Sequence, residues 1–258
     1  MKVLGIIPAR MAATRFPNKP MALIEGMPMI GHCYFRSKMC SLLDEVYVAT
    51  CDEEIYEYIV KVGGKAIMTS DVHERATERS SEALINIEKE VPRTKYDIVV
   101  MIQGDEPLIN PLMINEVIQP LLEGKHEVSN LMSRLKDLNE AENPNFVKVV
   151  TDINGRALYM SREPIPSPSN YKKSIEYYRQ LGLIAFKKEA LLSFVELPTT
   201  RLEIIESVDM NRFLENQVCI QMSVTDFEAD SVDTVEDLTI VSAKMKKDLL
   251  FHEYKNNR

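Results

Sequence analysis

The 258-residue chain has no tryptophan, only nine glycines and four cysteines, and no apolar run near the roughly 18 residues of a membrane helix. A membrane-spanning segment is therefore not expected. The GxxxxGK[ST] phosphate loop and the GxGxxG dinucleotide fingerprint are both missing, which disfavours a P-loop NTPase and an NAD-type dehydrogenase. Cys33, Cys40, Cys51 and Cys219 lack metal-type pair spacing and read as ordinary thiols, with Cys33 and Cys40 expected on one helix face. The first residues enter a strand directly, with no charged leader and cleavage site, so the expected location is the cytoplasm. Basic residues are in deficit: the net charge is −8 and the isoelectric point about 5.2. That excludes a broad nucleic-acid surface and leaves room for a small anion held in a local basic pocket.

What is present is a core-forming chain. Hydrophobic residues make up 45% and charged residues 27%, enough for one large core or a core plus a small lobe. The first half alternates short β-branched runs with helical stretches. Strands are expected at 3–7, at Glu45–Thr50, at 65–68 and at 98–102. Helices are expected at 29–42, at 52–62 ending on Gly63-Gly64, and at Ala76–Glu90. Strands that are apolar throughout and separated by helices predict an α/β fold on a mostly parallel, doubly wound sheet. Ligands of such sheets bind beyond the carboxyl ends of strands, which brings the loops at 8–20 and 103–107 together. The second half reads as a small mixed lobe. Strands at 146–152 and Ala157–Ser161 flank an Asn154-Gly155 hairpin turn, a proline-rich loop follows, and a further strand is expected at 180–186. The last fifteen residues read as a helix fraying into a polar tail.

Three segments carry chemistry. Arg10, Arg15 and Lys19 place three cations in ten residues just after a buried strand, an arrangement that calls for an anion among them. A triphosphate supplies one, and the small Ala9, Ala12 and Ala13 allow backbone N–H groups to approach it. In IVVMIQGDEPLI, Asp105 and Glu106 end a strand as hard oxygen donors suited to Mg²⁺, which takes one or two carboxylates plus phosphate oxygens. Residues 230–238 (DSVDTVEDL) offer a second acidic loop, in which Asp233 or Thr234 can also cap the helix that follows. Taken singly, each segment is also compatible with an ordinary solvated loop or turn.

Together they resemble the 3-deoxy-manno-octulosonate (Kdo) cytidylyltransferases, the CMP-Kdo synthetases. The resemblance runs nearly end to end through IIPARMAATRFPNKP, VYVATCDEEI, MTSDVHERATER, IQGDEPLI, NPNFVKVVTDINGRALYMSREPIP and SVDTVEDL. It implies a Rossmann-like nucleotidyltransferase domain that transfers CMP from CTP to the anomeric hydroxyl of Kdo or a related keto-deoxy sugar acid, releasing pyrophosphate. Arg10, Arg15 and Lys19, with Pro8 and Ala9, should hold the phosphates, and Gln103 should lie near the nucleotide. Asp105 and Asp233 should bind Mg²⁺. The segment 69–79, with Thr69, Ser70, Arg75 and Thr77, should line the base and ribose pocket. Residues 1–120 and 215–250 become the CTP-binding core, and 121–214 the sugar-acid and dimerisation lobe. A homodimer is implied, with 147–166 supplying much of its interface.

The acid side departs from the family pattern. Arg75-Ala76 stands where Ser-Gly is usual, Gln180 where a His is usual, and Asp209-Met210 where a Glu-Gln pair is common. Glu206 and Arg212 stay in register, and Arg162 of the YMSRxPIP element matches the family and can meet the sugar carboxylate. A methionine in place of an amide removes two donors and an acceptor. These departures leave open a paralogue that activates another acid, such as 8-amino-Kdo or a nonulosonate-like sugar, for a surface polysaccharide. A catalytically silent nucleotide-binding subunit is disfavoured by the retained Arg10, Arg15, Lys19, Asp105 and Asp233.

Overall fold

Val3, Leu4, Ile6 and Ile7 have no solvent-facing partner in the sequence pattern, and all four are buried in the first strand. The structure, a computed structural model, describes residues 1–12, 16–169 and 175–257. It divides into two units, Met1–Asn115 with Ala229–Arg258, and Glu116–Glu228.

The first unit runs β1 (Val3–Ala9), a 3-10 turn at Lys19–Met21, a short hairpin of β2 (Leu23–Ile24) and β3 (Met27–Pro28), and α1 (Met29–Lys38). It continues with β4 (Glu45–Thr50), α2 (Glu53–Lys61), β5 (Ala66–Met68), α3 (Ala76–Glu90) and β6 (Ile98–Met101). Strand β1 pairs parallel with β6 on one side and β4 on the other, and β4 pairs parallel with β5. Their side chains are buried nearly throughout, as a parallel sheet covered on both faces requires. The expected α/β architecture with a mostly parallel sheet is the one observed. Helix α1 stops at Lys38, so Cys40 lies beyond the helix that carries Cys33; both are buried.

Helix α4 (Pro111–Leu122) carries the chain into the second unit. There β7 (Val128–Arg134), α5 (Leu138–Glu142), β8 (Lys148–Thr151), β9 (Ala157–Ser161) and β10 (Tyr178–Lys187) are followed by α6 (Lys188–Glu196), α7 (Arg201–Glu206), α8 (Met210–Glu215) and β11 (Ile220–Thr225). Strand β7 pairs antiparallel with β10 and parallel with β11. That pairing draws residues 215–228 into this unit, whereas the sequence groups them with the first. The β8–β9 hairpin turns at Asn154-Gly155, with Gly155 at φ 77°, which a glycine adopts without strain. Back in the first unit, α9 (Val235–Met245) and α10 (Phe251–Tyr254) close the chain. The end does not fray as expected: Phe251 and Tyr254 are buried and anchor it.

Polar groups order the second unit. Glu206, closing α7, accepts from Tyr159 Oη (2.7 Å), Ser161 Oγ (2.8 Å) and the Arg162 backbone N–H (2.8 Å), locking the end of β9. Burial pushes the Glu206 carboxyl up, but these donors and the Arg162 charge outweigh it and hold it below its usual 4.5. Nearby, fully buried Lys148 donates to the carbonyls of Asn143, Phe146 and Arg162. Arg212 makes a bidentate pair with Glu203, at 2.6 and 2.7 Å, and both residues are buried.

Two expectations follow. Glu203→Ala leaves a buried guanidinium uncompensated, at a cost of about 3–5 kcal/mol, and should lower the apparent Tm by roughly 10 °C in a thermal melt. A Glu206 carboxyl held low in the folded state stabilises fully above its ordinary value of 4.5, and that stabilisation is lost as pH falls through the lower folded value. The stability gap between wild type and Glu206→Gln should therefore narrow on acidification below that value in denaturant titrations. A gap constant down to the acid transition would remove this role.

Candidate active site

Three loops present the site, all within the first unit. The first leaves β1 at Ala9 and is pinned where Asp52, just before α2, accepts the Met11 N–H at 2.8 Å. The Asn18 N–H then bonds back to Met11 O (3.2 Å), and Asn18 takes the left-handed conformation (φ 60°), which asparagine tolerates better than most residues. This turn starts the 3-10 segment whose first residue is Lys19. The second loop leaves β6 with Gln103, Gly104 and Asp105. A Cβ on Gly104 would lie 3.0 Å from Pro8 O and 3.3 Å from Ile30, so glycine lets the two loops approach. The third loop is tied to the second, since the buried Val232 donates its N–H to Asp105 O at 2.9 Å.

That tie decides the role of the third loop. Thr234, not Asp233, caps α9: its hydroxyl accepts the Asp237 N–H while the Asp237 carboxylate receives the N–H groups of Asp233 and Thr234. The Asp233 carboxylate instead meets Lys19. The Lys19 ammonium stands 2.7 Å from Asp105 Oδ2 and 3.3 Å from Asp233 Oδ1. Burial pulls the ammonium's pKa down, but the two carboxylates outweigh that and raise it. Lys19 is thus a fixed cation at any physiological pH.

These groups open onto a cavity of about 290 Å³. Pro8, Ala9, Arg10 and Lys19 line it from the first loop, Arg75 and Arg79 from the start of α3, and Gln103, Asp105 and Asp233 from the other two. The site residues expected on these loops are therefore brought together. Arg15 lies outside the described residues. Thr69, Ser70 and Thr77 stand behind the wall. Thr69 Oγ1 and Ser70 O receive the buried Arg79 guanidinium at 2.6 and 3.1 Å, and Thr77 is fully buried against Met101. Arg79 also reaches His73 O (3.3 Å), and His73 pairs through Nε2 with Glu82. Burial raises the Glu82 carboxyl, but bonds from the Ser70 N–H and His73 outweigh it and hold it low.

His73 and Arg79 lie within the segment 69–79 that the resemblance assigns to the pocket, though neither is singled out there, and Glu82 has no distinguishing signal in the sequence. Arg79 looks like any helix-surface charge until residues 69–75 fold over the start of α3. In the second unit, Arg162 meets Glu206: its Nε donates to Glu206 O (2.7 Å), while its terminal nitrogens meet Pro144 O (2.8 Å) and Ser207 O (3.4 Å), leaving two N–H groups uncommitted. Gln180 Nε2 donates to Asn130 Oδ1 at 2.9 Å, Asp209 precedes α8, and Met210 is buried.

Two carboxylates converging within reach of one ammonium, each about a third exposed, suit a hard divalent cation whose other ligands are phosphate oxygens and water. Among the described residues there is no cluster of three or more His, Cys, Asp or Glu side chains that would hold a metal by itself. Nor is any helix there long and apolar enough to cross a membrane.

Residues 4–225 match a family model described as Cytidylyltransferase. The 3-deoxy-manno-octulosonate cytidylyltransferase of Geotalea uraniireducens (strain Rf4) is 41% identical over 258 residues, covering 96% of this chain and all of that protein. The protein of the same name from Fusobacterium nucleatum subsp. nucleatum is 41% identical over 248 residues, covering 96% and 98%. A solved structure of CMP:2-keto-3-deoxy-manno-octonic acid synthetase complexed with CTP superposes with a TM-score of 0.87 at 33% identity, covering 96% of this chain and all of that one. A cytidylyltransferase structure from Leptospira borgpetersenii, at 18% identity and TM-score 0.62, shares the fold. Shared length, sequence and fold lead to one assignment: the chain belongs to the cytidylyltransferase family, among its 3-deoxy-manno-octulosonate members.

Proposed function

We propose that the protein transfers CMP from CTP to the anomeric hydroxyl of Kdo or a close keto-deoxy sugar acid, releasing pyrophosphate. The observation that carries this reading is the Lys19 ammonium held between Asp105 and Asp233 on a cavity that Arg10, Arg75, Arg79 and Gln103 also line. The reaction needs no covalent nucleophile from the protein. It needs the α-phosphorus in line with the attacking hydroxyl, and compensation for the charge that develops on the leaving pyrophosphate.

Arg10, Arg15 and Lys19 hold the phosphates, and the backbone at Pro8 and Ala9 lies close enough to follow them. Gln103 and Arg75 face the nucleotide, with Arg79 and the residues behind it fixing the shape of that wall. Asp105 and Asp233 are the carboxylates that would hold Mg²⁺, which when bound supplies a Lewis-acid charge at the phosphate oxygens. Arg162, Gln180, Glu206 and Asp209 serve the sugar acid, with the two uncommitted N–H groups of Arg162 available to its carboxylate. The reading extends to a cytoplasmic homodimer joined largely through 147–166, where Ile153 and Leu158 are exposed on the hairpin.

A second reading, a paralogue for another sugar acid, rests on the acid side. Gln180 offers an amide where an imidazole is usual, and the buried Met210 presents no polar group. Pyrophosphate release with CTP, Mg²⁺ and a panel of sugar acids separates the two. Release with Kdo supports the first reading, release with an amino-sugar acid but not Kdo selects the second, and no release with any acid sinks both. Asp105→Asn should abolish turnover while leaving the thermal melt nearly unchanged; near-normal activity would show the metal assignment to be wrong. Lys19→Met should raise the KM for CTP and lower kcat, together costing on the order of a hundredfold in kcat/KM.

A further inference from the structure

Beneath the site lies a second polar network that the proposed chemistry does not use. Along one face of α1, Ile30 packs at Gly104 and the buried Cys33 lies beside the Glu106 backbone. One turn further, the buried Arg36 donates through Nη1 to Leu108 O and Ile109 O, both at 3.2 Å. Helix α1 is thus the floor of the loop that presents Asp105. Arg36 is oriented from the far end of the chain: Asp248 Oδ1 takes its Nη2 at 2.5 Å, and Tyr254 Oη takes its Nε at 3.0 Å.

The same hydroxyl reaches the other loop. His32, fully buried, stands with Nε2 2.8 Å from Ile24 O and Nδ1 2.9 Å from Tyr254 Oη. A carbonyl only accepts, so His32 carries its proton on Nε2 and leaves Nδ1 to accept from the tyrosine. Burial raises the Tyr254 pKa to about 12, so the hydroxyl keeps the proton it donates. Ile24 sits in the hairpin that follows Lys19 directly, and Met29 N–H bonds to Ala22 O to close it. One buried hydroxyl therefore touches the supports of both loops: through His32 the one that presents Lys19, through Arg36 the one that presents Asp105.

We propose that Tyr254 is a positioning residue for the nucleotidyl transfer, and that residues 246–257 form a latch that sets the Lys19–Asp105 geometry through His32 and Arg36. The inference rests on the cytidylyltransferase reading for its effect on rate, though not for its effect on the two loops. A displacement of about 1 Å in a reacting constellation can cost on the order of a hundredfold in rate, so a support this distant can still matter to catalysis.

The test compares Tyr254→Phe and Asp248→Asn with Phe251→Leu. Phe251 packs on His32 and Tyr254 through its ring alone, at centroid distances of 5.5 Å, and serves as the control for lost packing. In the metal-free protein, Tyr254→Phe should speed amide hydrogen exchange at residues 22–27 and 103–109 about tenfold, an effect of the size expected for one lost buried hydrogen bond. Asp248→Asn should loosen 103–109 alone, and Phe251→Leu neither loop beyond what its fall in Tm predicts. In turnover, Tyr254→Phe should lower kcat at saturating CTP about tenfold, whereas Phe251→Leu at a matched Tm should not. Unchanged exchange at both loops in Tyr254→Phe overturns the latch, as does loosened exchange beside wild-type kcat, or an equal fall in kcat in both variants. A wild-type protein inert with every acid would sink the functional reading alone, and exchange would still decide the latch.

Discussion

One ammonium between two carboxylates is the contact on which the rest of the candidate site depends. Asp105 is 86 residues from Lys19 in sequence and Asp233 is 214 residues away, so neither pairing has any local drive. Each partner is delivered by a separate device: a left-handed Asn18 before the lysine, a glycine that lets the second loop close on Pro8, and a backbone bond from Val232 to Asp105. The ion pairs are partly exposed, and such pairs add only about 1 kcal/mol to stability. Their effect lies in geometry. On the proposed reading, the carboxylates of Asp105 and Asp233 serve a divalent cation, while Arg10 and Arg75, which line the same cavity, serve the phosphates. On that reading, the places for metal and for phosphate are thus separate before either arrives.

The elements that frame this contact were legible where one local rule decides the structure. Glu45–Thr50 and Ala76–Glu90 read with their observed boundaries because a buried strand has an apolar run and a helix has a period. The Asn154-Gly155 hairpin read correctly because its turn chemistry is local. What failed to read depends on distant partners. Residues 246–257 look like a polar tail because only Leu249, Leu250, Phe251 and Tyr254 interrupt their polar residues; Phe251 and Tyr254 are the buried ones, and what Tyr254 meets is on α1, more than two hundred residues earlier. The pairing of β11 with Val128–Arg134 is not legible either, because nothing in IQMSVT specifies that partner.

The site divides along the same line. Arg10, Lys19, Asp105 and Asp233 stand out in sequence only in combination and through the family resemblance, since each loop taken singly also fits an ordinary solvated loop or turn. Thr234 illustrates the limit: sequence allows either Thr234 or Asp233 to cap α9, and only the reciprocal bonds with Asp237 free Asp233 for Lys19. The bonds of Arg79 and the pairing of His73 with Glu82 were not legible for the opposite reason, although the resemblance places segment 69–79 at the pocket. A charge on a helix looks solvated until a loop folds over it, and buried charges are tolerated only once their partners are in place.

On the proposed reading, the acid side is where this chain can differ in chemistry while keeping its fold. Gln180 is held by Asn130, whose own amide nitrogen lies within 3.2 Å of the carbonyls of Leu131, Leu181 and Leu183. Asn130 is fully buried and saturated, so it fixes Gln180 by one N–H and leaves that side chain a second N–H and its carbonyl oxygen. An amide there is neutral at every pH and offers a donor and an acceptor together. An imidazole would instead charge near neutrality and favour an anionic partner. Recognition through Gln180 therefore depends on the hydrogen-bond pattern of the acid and not on its charge. An amino-bearing sugar can satisfy such a pattern as well as a hydroxylated one, so the choice of acid falls to the contacts around Gln180.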